Sequence, residues 1–429
     1  MLSEDYLIEQ LNAPTRQERL MAVTGLKKLM DDGFLEKPLQ GEDINNHIHT
    51  TYSFSPYSPS KAVWRAYTAG LCTAGIMDHD SIGGAEEFIE AGKIVGLPTT
   101  IGMEMRVDFS NTPLNGRRIN NPDQDSIAYM AVHGIPHTQL DKIRDFFTPY
   151  SAKRIERDRK MLANINSIMR PHGITLDFDK DVLPLSEYKE GGSVTERHLL
   201  FALSKKLVEK FGKGPALAEL LERDIKLELS SKNRQRLEQT DNPYYEYDLL
   251  GALKSGMVAD FYIDADEECP DVSQVAELAR QTGAILAYAY LGDVTDSVTG
   301  DKKAQKFEDD YLDLLFETLK KTGFNAVTYM PSRNTLQQLR RVRSKCDEYG
   351  LFQISGEDIN SPRQSFICMA QREPEFSNLY DAAWALIGHE IAATEDIQNG
   401  FCSDRTVRAY PALSDRIEHF KNIALDKYH

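Results

Sequence analysis

A chain of 429 residues with 41% hydrophobic side chains can bury a sizeable core, and its length suggests two or three domains, of which an α/β barrel of about 250 residues can be one. The formal charge of −16 argues against affinity for extended nucleic acid, whose phosphates are held by basic surface, but admits a small phosphorylated molecule, because bound cations reverse the local field. No apolar run approaches the ~20 residues of a membrane span, residues 1–30 lack a signal peptide's basic start and apolar centre, and Cys72, Cys269, Cys346, Cys368 and Cys402 form no C-x-x-C pair; a cytoplasmic protein with reduced thiols and no membrane partner is expected. Oligomeric state is not legible.

Residues 1–40 read as a helical extension, in which Thr15 and Glu18 form a capping box ahead of the periodic stretch Arg19–Met30, with Gly33 as its stop. From 43 onward strand and helix alternate. Strands are predicted at 43–49, 74–79, 98–107, 127–133, 284–290, 325–330 and 351–356, with helices at 59–70, 83–95, 272–282, 305–322 and 334–348 between them. Gly75, Gly96, Gly283, Gly323 and Gly350 fall where helices should end. Repeated β-α units predict a parallel sheet, and seven of them a closed or nearly closed barrel. The barrel is expected in two parts, 41–140 and 266–365. Between them, a helical insertion over 141–265 (helices at 139–147, 152–169, 195–211 and 215–229) is too long to be a structureless loop. A tail, 366–429, carries helices near 377–393 and 411–426.

The chemistry centres on Asn46-His47-Ile48-His49-Thr50. Alternate side chains of a strand share a face, so His47 and His49 would project together and grip one metal ion. Asp78-His79-Asp80, Glu104, His133 and Asp358 each end or interrupt a strand-like run, and in α/β barrels the C-terminal rim of the strands collects catalytic groups. Glu104, an acid in an otherwise apolar strand, needs a partner if buried, and a metal would supply it. His133 could share that metal. Mixed imidazole and carboxylate donors suit zinc, manganese or iron without choosing among them.

His47-Ile48-His49-Thr50-Thr51-Tyr52-Ser53, Gly75-Ile76-Met77-Asp78-His79-Asp80-Ser81-Ile82-Gly83-Gly84 and Gly102-Met103-Glu104 resemble, in order and spacing, the first three motifs of the polymerase-and-histidinol-phosphatase (PHP) superfamily. The likeness is dense over 43–136 and resumes at about 284–365, roughly half of the chain. It implies a distorted seven-stranded (β/α) barrel and metal-dependent phosphoester hydrolysis. The long insertion resembles that of the subgroup acting on nucleotides, and Thr195-Glu196-Arg197-His198-Leu199 is similar to its Arg-Pro-His element, with Glu196 in place of proline. On that resemblance Arg197 holds phosphate and His198 ligates metal or donates a proton. The chain also departs from the pattern: Tyr288 stands where the family writes a histidine ligand, Asp358-Ile359-Asn360 replaces Asp-x-His, and Phe54 and Ser55 occupy a stretch that commonly carries His or Asp.

The resemblance thus implies a first metal position at His47, His49, Glu104 and Asp358, a partial second at Glu104, His133 and His198, and a third retaining chiefly His79. One or two ions are expected to bind firmly and a third weakly or not at all. His79, His198 and Asp78 are the candidate catalytic groups; Arg197, Arg363, Tyr288 and Asn360 are the candidate substrate contacts. Two rival readings accompany this one: a binding protein that kept the barrel and lost catalysis, and a nuclease or proofreading module.

Overall fold

The computed structural model describes residues 3–294 and 305–428. Its strands are β1 (Ile44–Ile48), β2 (Thr73–His79), β3 (Thr99–Asp108), β4 (Ile127–His133), β5 (Ile285–Ala289), β6 (Ala326–Tyr329) and β7 (Phe352–Ser355), hydrogen-bonded in that order as one sheet. The sheet curls until its edges meet. Just beyond β7, the Ile359 amide donates to the His47 carbonyl (3.1 Å) and the His49 amide donates to the Ile359 carbonyl (3.0 Å), closing the ring at the rim. The fold is a distorted α/β barrel of seven strands.

The expected all-parallel sheet needs one correction. β4 pairs antiparallel with both β3 and β5. Residues 109–126 form no helix or strand, and without a helical crossover the chain returns directly alongside β3. Gly75, expected at a helix end, instead lies inside β2, where a Cβ would stand 2.8 Å from the Asn46 Cα of β1; close approach of the two strands requires glycine there. Gly96, Gly283, Gly323 and Gly350 do end helices, in the left-handed conformation.

Residues paired across strands share a face, so Glu104, Ala131, Ala287 and Ala326 all point into the barrel. Below them the helix Asn378–Glu395 closes the floor, packing Ala382, Ala385 and Leu386 against Ile285, Ala287, Phe352 and Ile354. Its Glu390 accepts from the Ile101 amide (2.7 Å) and the Thr100 hydroxyl (2.8 Å). The outer face is covered by helices that include Pro59–Thr68, Ala85–Val95, Val272–Thr282, Leu312–Thr322 and Leu336–Tyr349.

The amino-terminal helix Arg16–Asp31 has the expected capping box. It is fastened by Arg19, whose guanidinium forks onto the buried Glu87 carboxylate at 2.6 and 2.9 Å. The helical stretch after β4 comprises Leu140–Met169, Glu196–Phe211, Pro215–Arg223, Ser231–Glu238 and Tyr245–Phe261, gathered round an apolar cluster of their own. The two helices expected at 139–147 and 152–169 are one, running through Pro149. The five cysteines are free thiols, and no helix among the described residues is long and apolar enough to cross a membrane.

Candidate metal centre

β1 delivers His47 and His49 to the barrel rim. The strand is irregular there, its register against β2 shifting between Asn45 and Ile48. The Asn45 carboxamide accepts from the His47 amide (2.9 Å), and Gly356 beyond β7 comes so close that a Cβ would lie 2.6 Å from the His47 nitrogen. Both imidazoles turn inward toward Glu104. The His47 Nε2 is 3.3 Å and the His49 Nε2 3.8 Å from the Glu104 Oε2; the His49 Nε2 is also 3.1 Å from the Asp358 Oδ1, and the His79 Nδ1 is 3.4 Å from the Glu104 Oε2. The rings of His49 and His79 stack with centroids 4.6 Å apart. Donor atoms of His47, His49 and Glu104 all lie within 4.8 Å of one another.

Two observations suit this cluster to a divalent cation. The Nε2 atoms of His47 and His49 are buried and lack any hydrogen bond of acceptable geometry, which costs free energy unless something else engages them. The second is the tautomer at His49. Ser53 donates its hydroxyl proton to Asp78 (2.7 Å), so its lone pair faces the His49 Nδ1 at 3.4 Å and favours a proton there. That leaves the His49 Nε2 with the lone pair a metal needs. Burial by itself would raise the Glu104 carboxyl, but the imidazoles of His79, His47 and His49 outweigh it and hold the group down to about 2. Asp358 is likewise kept well below the usual carboxylate range: burial opposes this, and the adjoining His49 and His47 outweigh it.

The cluster forms one end of a cavity of about 660 Å³. Arg197 reaches it from the first turn of the helix Glu196–Phe211 and donates to the Asn360 carboxamide oxygen (3.3 Å), while the Asn360 nitrogen donates to Asp358 (2.6 Å). The two residues therefore lie together at the rim. Burial lowers His79 to about 3, so it presents a neutral imidazole to the cavity.

Other expected site residues lie elsewhere. Asp78 points away from the cavity: its oxygens accept from the Thr50 amide and hydroxyl (both 2.6 Å) and from Ser53, which makes it the anchor of the loop after β1 rather than a reacting group. His133 ends β4, but β4 runs antiparallel, so it sits opposite Gly102, two residues or about 7 Å of strand below Glu104. It is buried outside the cavity lining, with its Nε2 unpartnered. His198 spends its Nδ1 on the Thr195 amide (3.0 Å) as a helix cap, packs edge-on against Phe54 and does not line the cavity. Arg363 forks onto Asp248 at 2.7 and 2.8 Å, tying the segment after β7 to the helix Tyr245–Phe261. Tyr288 faces outward into the core and donates to Glu308 (3.0 Å).

Tyr129, Lys254 and Tyr290 line the cavity and were not anticipated. Tyr290 lies one residue past β5 and two along from the outward-facing Tyr288; it reaches the cavity from the loop, where strand alternation no longer sets direction. Lys254, in mid-helix, carries no signal at all.

No family model matches the chain. A 5'-3' exoribonuclease of Haemophilus influenzae is 36% identical over 63 residues, which are 15% of this chain; the match spans about a quarter (23%) of that relative's length. Among solved structures, a protein provisionally described as a metal-dependent phosphoesterase, from Bifidobacterium adolescentis, superposes with a TM-score of 0.50 at 19% identity, covering 79% of this chain and 96% of the other. An amidohydrolase from Chromobacterium violaceum is similar at a TM-score of 0.46 and 16% identity, over 76% and 90% of the two chains. At such identities the first likeness establishes a shared fold, and the chemistry has to be argued from the residues.

Proposed function

We propose that this protein is a metal-dependent phosphoesterase acting on a small phosphorylated substrate such as a nucleotide or a sugar phosphate. The observation that carries the reading is the convergence of His47, His49, Glu104 and Asp358 at the rim of one cavity, with Arg197 beside them. Zinc, manganese or iron suits these donors. Such an ion, when bound, polarises phosphate oxygens and makes a water nucleophilic near neutral pH.

The remaining chemistry falls to the chain. Arg197 offers a planar fork of N–H donors to phosphate oxygens, and Asn360 orients it while holding Asp358. His79, neutral through burial, accepts or relays a proton at a ring nitrogen beside Glu104. Lys254 and Arg333 add positive charge to a cavity that also contains Tyr129 and Tyr290.

Phosphate release from mononucleotides and p-nitrophenyl phosphate, by protein purified with manganese or zinc, tests the proposal. Turnover should vanish in His49→Ala and Glu104→Gln; turnover that survives both would belong to a contaminant. The local match to the Haemophilus enzyme favours one alternative, trimming of an oligonucleotide from its 5' end. A 5'-labelled oligonucleotide, degraded with a strong salt dependence, would support that reading over the first.

A further inference from the structure

We propose, resting on the phosphoesterase reading above, that the Tyr129 hydroxyl is a catalytic hydrogen-bond donor to the oxygen of the alcohol that leaves when the phosphate ester is cleaved.

β4 brings Tyr129 to the inner wall of the barrel. Ala131 pairs with Glu104 and Tyr129 with Arg106, so Tyr129 shares the inward face with Glu104; because β4 runs antiparallel, it stands two residues nearer the rim than Ala131. Its ring lies 6.0 Å from that of His79, centroid to centroid, and His79 in turn stacks on His49 and meets Glu104 at 3.4 Å. On its other sides the phenol faces Glu196, Asp123 and Tyr262, which line the cavity farther along. The metal donors form one end of that cavity of about 660 Å³. A phosphate held at that end leaves the alcohol half of the ester to extend along the remainder, past Tyr129.

The position is clamped. Pairing of β4 with β5 stops at Met130 and Tyr288, and there the buried Asn120 side chain bridges the two strands. Its carboxamide oxygen accepts from the Tyr129 amide (2.7 Å), and its nitrogen donates to the carbonyls of Tyr129 (2.7 Å) and Ala289 (2.6 Å). Tyr262, Tyr290 and Tyr329 also line the cavity, but each has its hydroxyl engaged. Tyr290 donates to Asp309 (2.6 Å), Tyr329 donates to Gln353 (2.9 Å), and the Tyr262 oxygen accepts from Arg106 (3.2 Å). Tyr129 is half-buried and, among the described residues, hydrogen-bonded through its backbone. Its hydroxyl, which a phenol keeps protonated up to about pH 10, is left to donate into the cavity.

In the hydrolysis the water oxygen joins phosphorus, the P–O bond to the alcohol breaks, and its electron pair stays on the leaving oxygen. The proton that His79 takes from the water ends on the alcohol, and Tyr129 keeps its own throughout. Tyr129 contributes a fixed O–H dipole where negative charge builds, and loss of one such donor typically lowers kcat by about 10²–10³-fold.

Tyr129→Phe keeps the ring and removes the hydroxyl. The full chain loaded with Mn(II) is assayed on p-nitrophenyl phosphate, phenyl phosphate and a mononucleotide, whose leaving oxygens are increasingly basic. The variant should lose about 100-fold in kcat on the mononucleotide, less on phenyl phosphate and under about threefold on p-nitrophenyl phosphate, with KM within about twofold and metal content by elemental analysis unchanged. Unchanged rates on all three esters, an equal loss on all three, or a fall in metal content would overturn the role given to Tyr129 and leave the phosphoesterase reading standing. Wild-type protein that cleaves none of the three would overturn both.

Discussion

Replacing Arg154 should unfold the protein more readily at neutral pH than at acid pH. Arg154, in the helix Leu140–Met169, pairs at 2.8 Å with Asp80, and both side chains are nearly buried, 5% and 10% exposed. Asp80 follows His79 directly and holds a left-handed backbone (φ 50), with its amide donating to the Glu104 carbonyl (2.8 Å). Arg154→Met leaves Asp80 buried without its cation, so the carboxyl must stay ionised at high cost or take up a proton. Protonation caps the loss. Bringing a carboxyl of ordinary pKa near 3.9 to its neutral form at pH 7 costs about 4 kcal/mol, at about 1.4 kcal/mol per unit. This agrees with the ~3–5 kcal/mol typical of breaking a buried pair.

The sign follows. In the variant the folded-state pKa of Asp80 rises further above its unfolded value, so the added instability is present at pH 7 and shrinks as pH falls toward 4. Urea unfolding at pH 7 and pH 5 should show a deficit of about 3–4 kcal/mol against wild type that falls to about 1–2 kcal/mol. Asp80→Asn in the Arg154→Met background should recover much of the loss, because asparagine tolerates the left-handed conformation and carries no charge. A deficit under 1 kcal/mol at pH 7, or one independent of pH, would refute the reasoning.

Arg19→Met, which strands the buried Glu87 carboxylate, should cost ~3–5 kcal/mol in urea unfolding while leaving the metal content unchanged. In metal-free protein, Glu104 has its folded pKa depressed to about 2, so its contribution to stability is present above about pH 4.5 and lost as pH falls through 2; the stability difference between wild type and Glu104→Gln, followed by thermal melts, should shrink over that window. Gly356→Ala should lower metal affinity in a chelator competition, because the new methyl must displace the backbone at His47. Arg363→Ala should leave KM for any phosphorylated substrate within twofold, since its guanidinium is spent on Asp248 and Asn242; a tenfold rise in KM would return Arg363 to the substrate.

The amino-acid sequence by itself determined the strand-helix alternation, the terminal glycines and the donors that meet: His47 and His49 lie two residues apart on a strand, and Glu104 is an acid in an apolar strand, patterns written in local spacing. Arg197 and Asn360 were legible only through motif resemblance. Tertiary structure decided the rest. β4 turned antiparallel for want of a crossover helix, which carried His133 toward the floor, and β5 ends at Ala289, so that Tyr288 faces the outer core while Tyr290 reaches the cavity from the loop. Asp78 and Arg363 found partners on other segments and were spent there, while His198 was spent capping its own helix against the neighbouring Phe54. A side chain's chemistry is local, but which neighbour satisfies it depends on register and on contacts between segments far apart in the chain, and no short stretch of sequence encodes those.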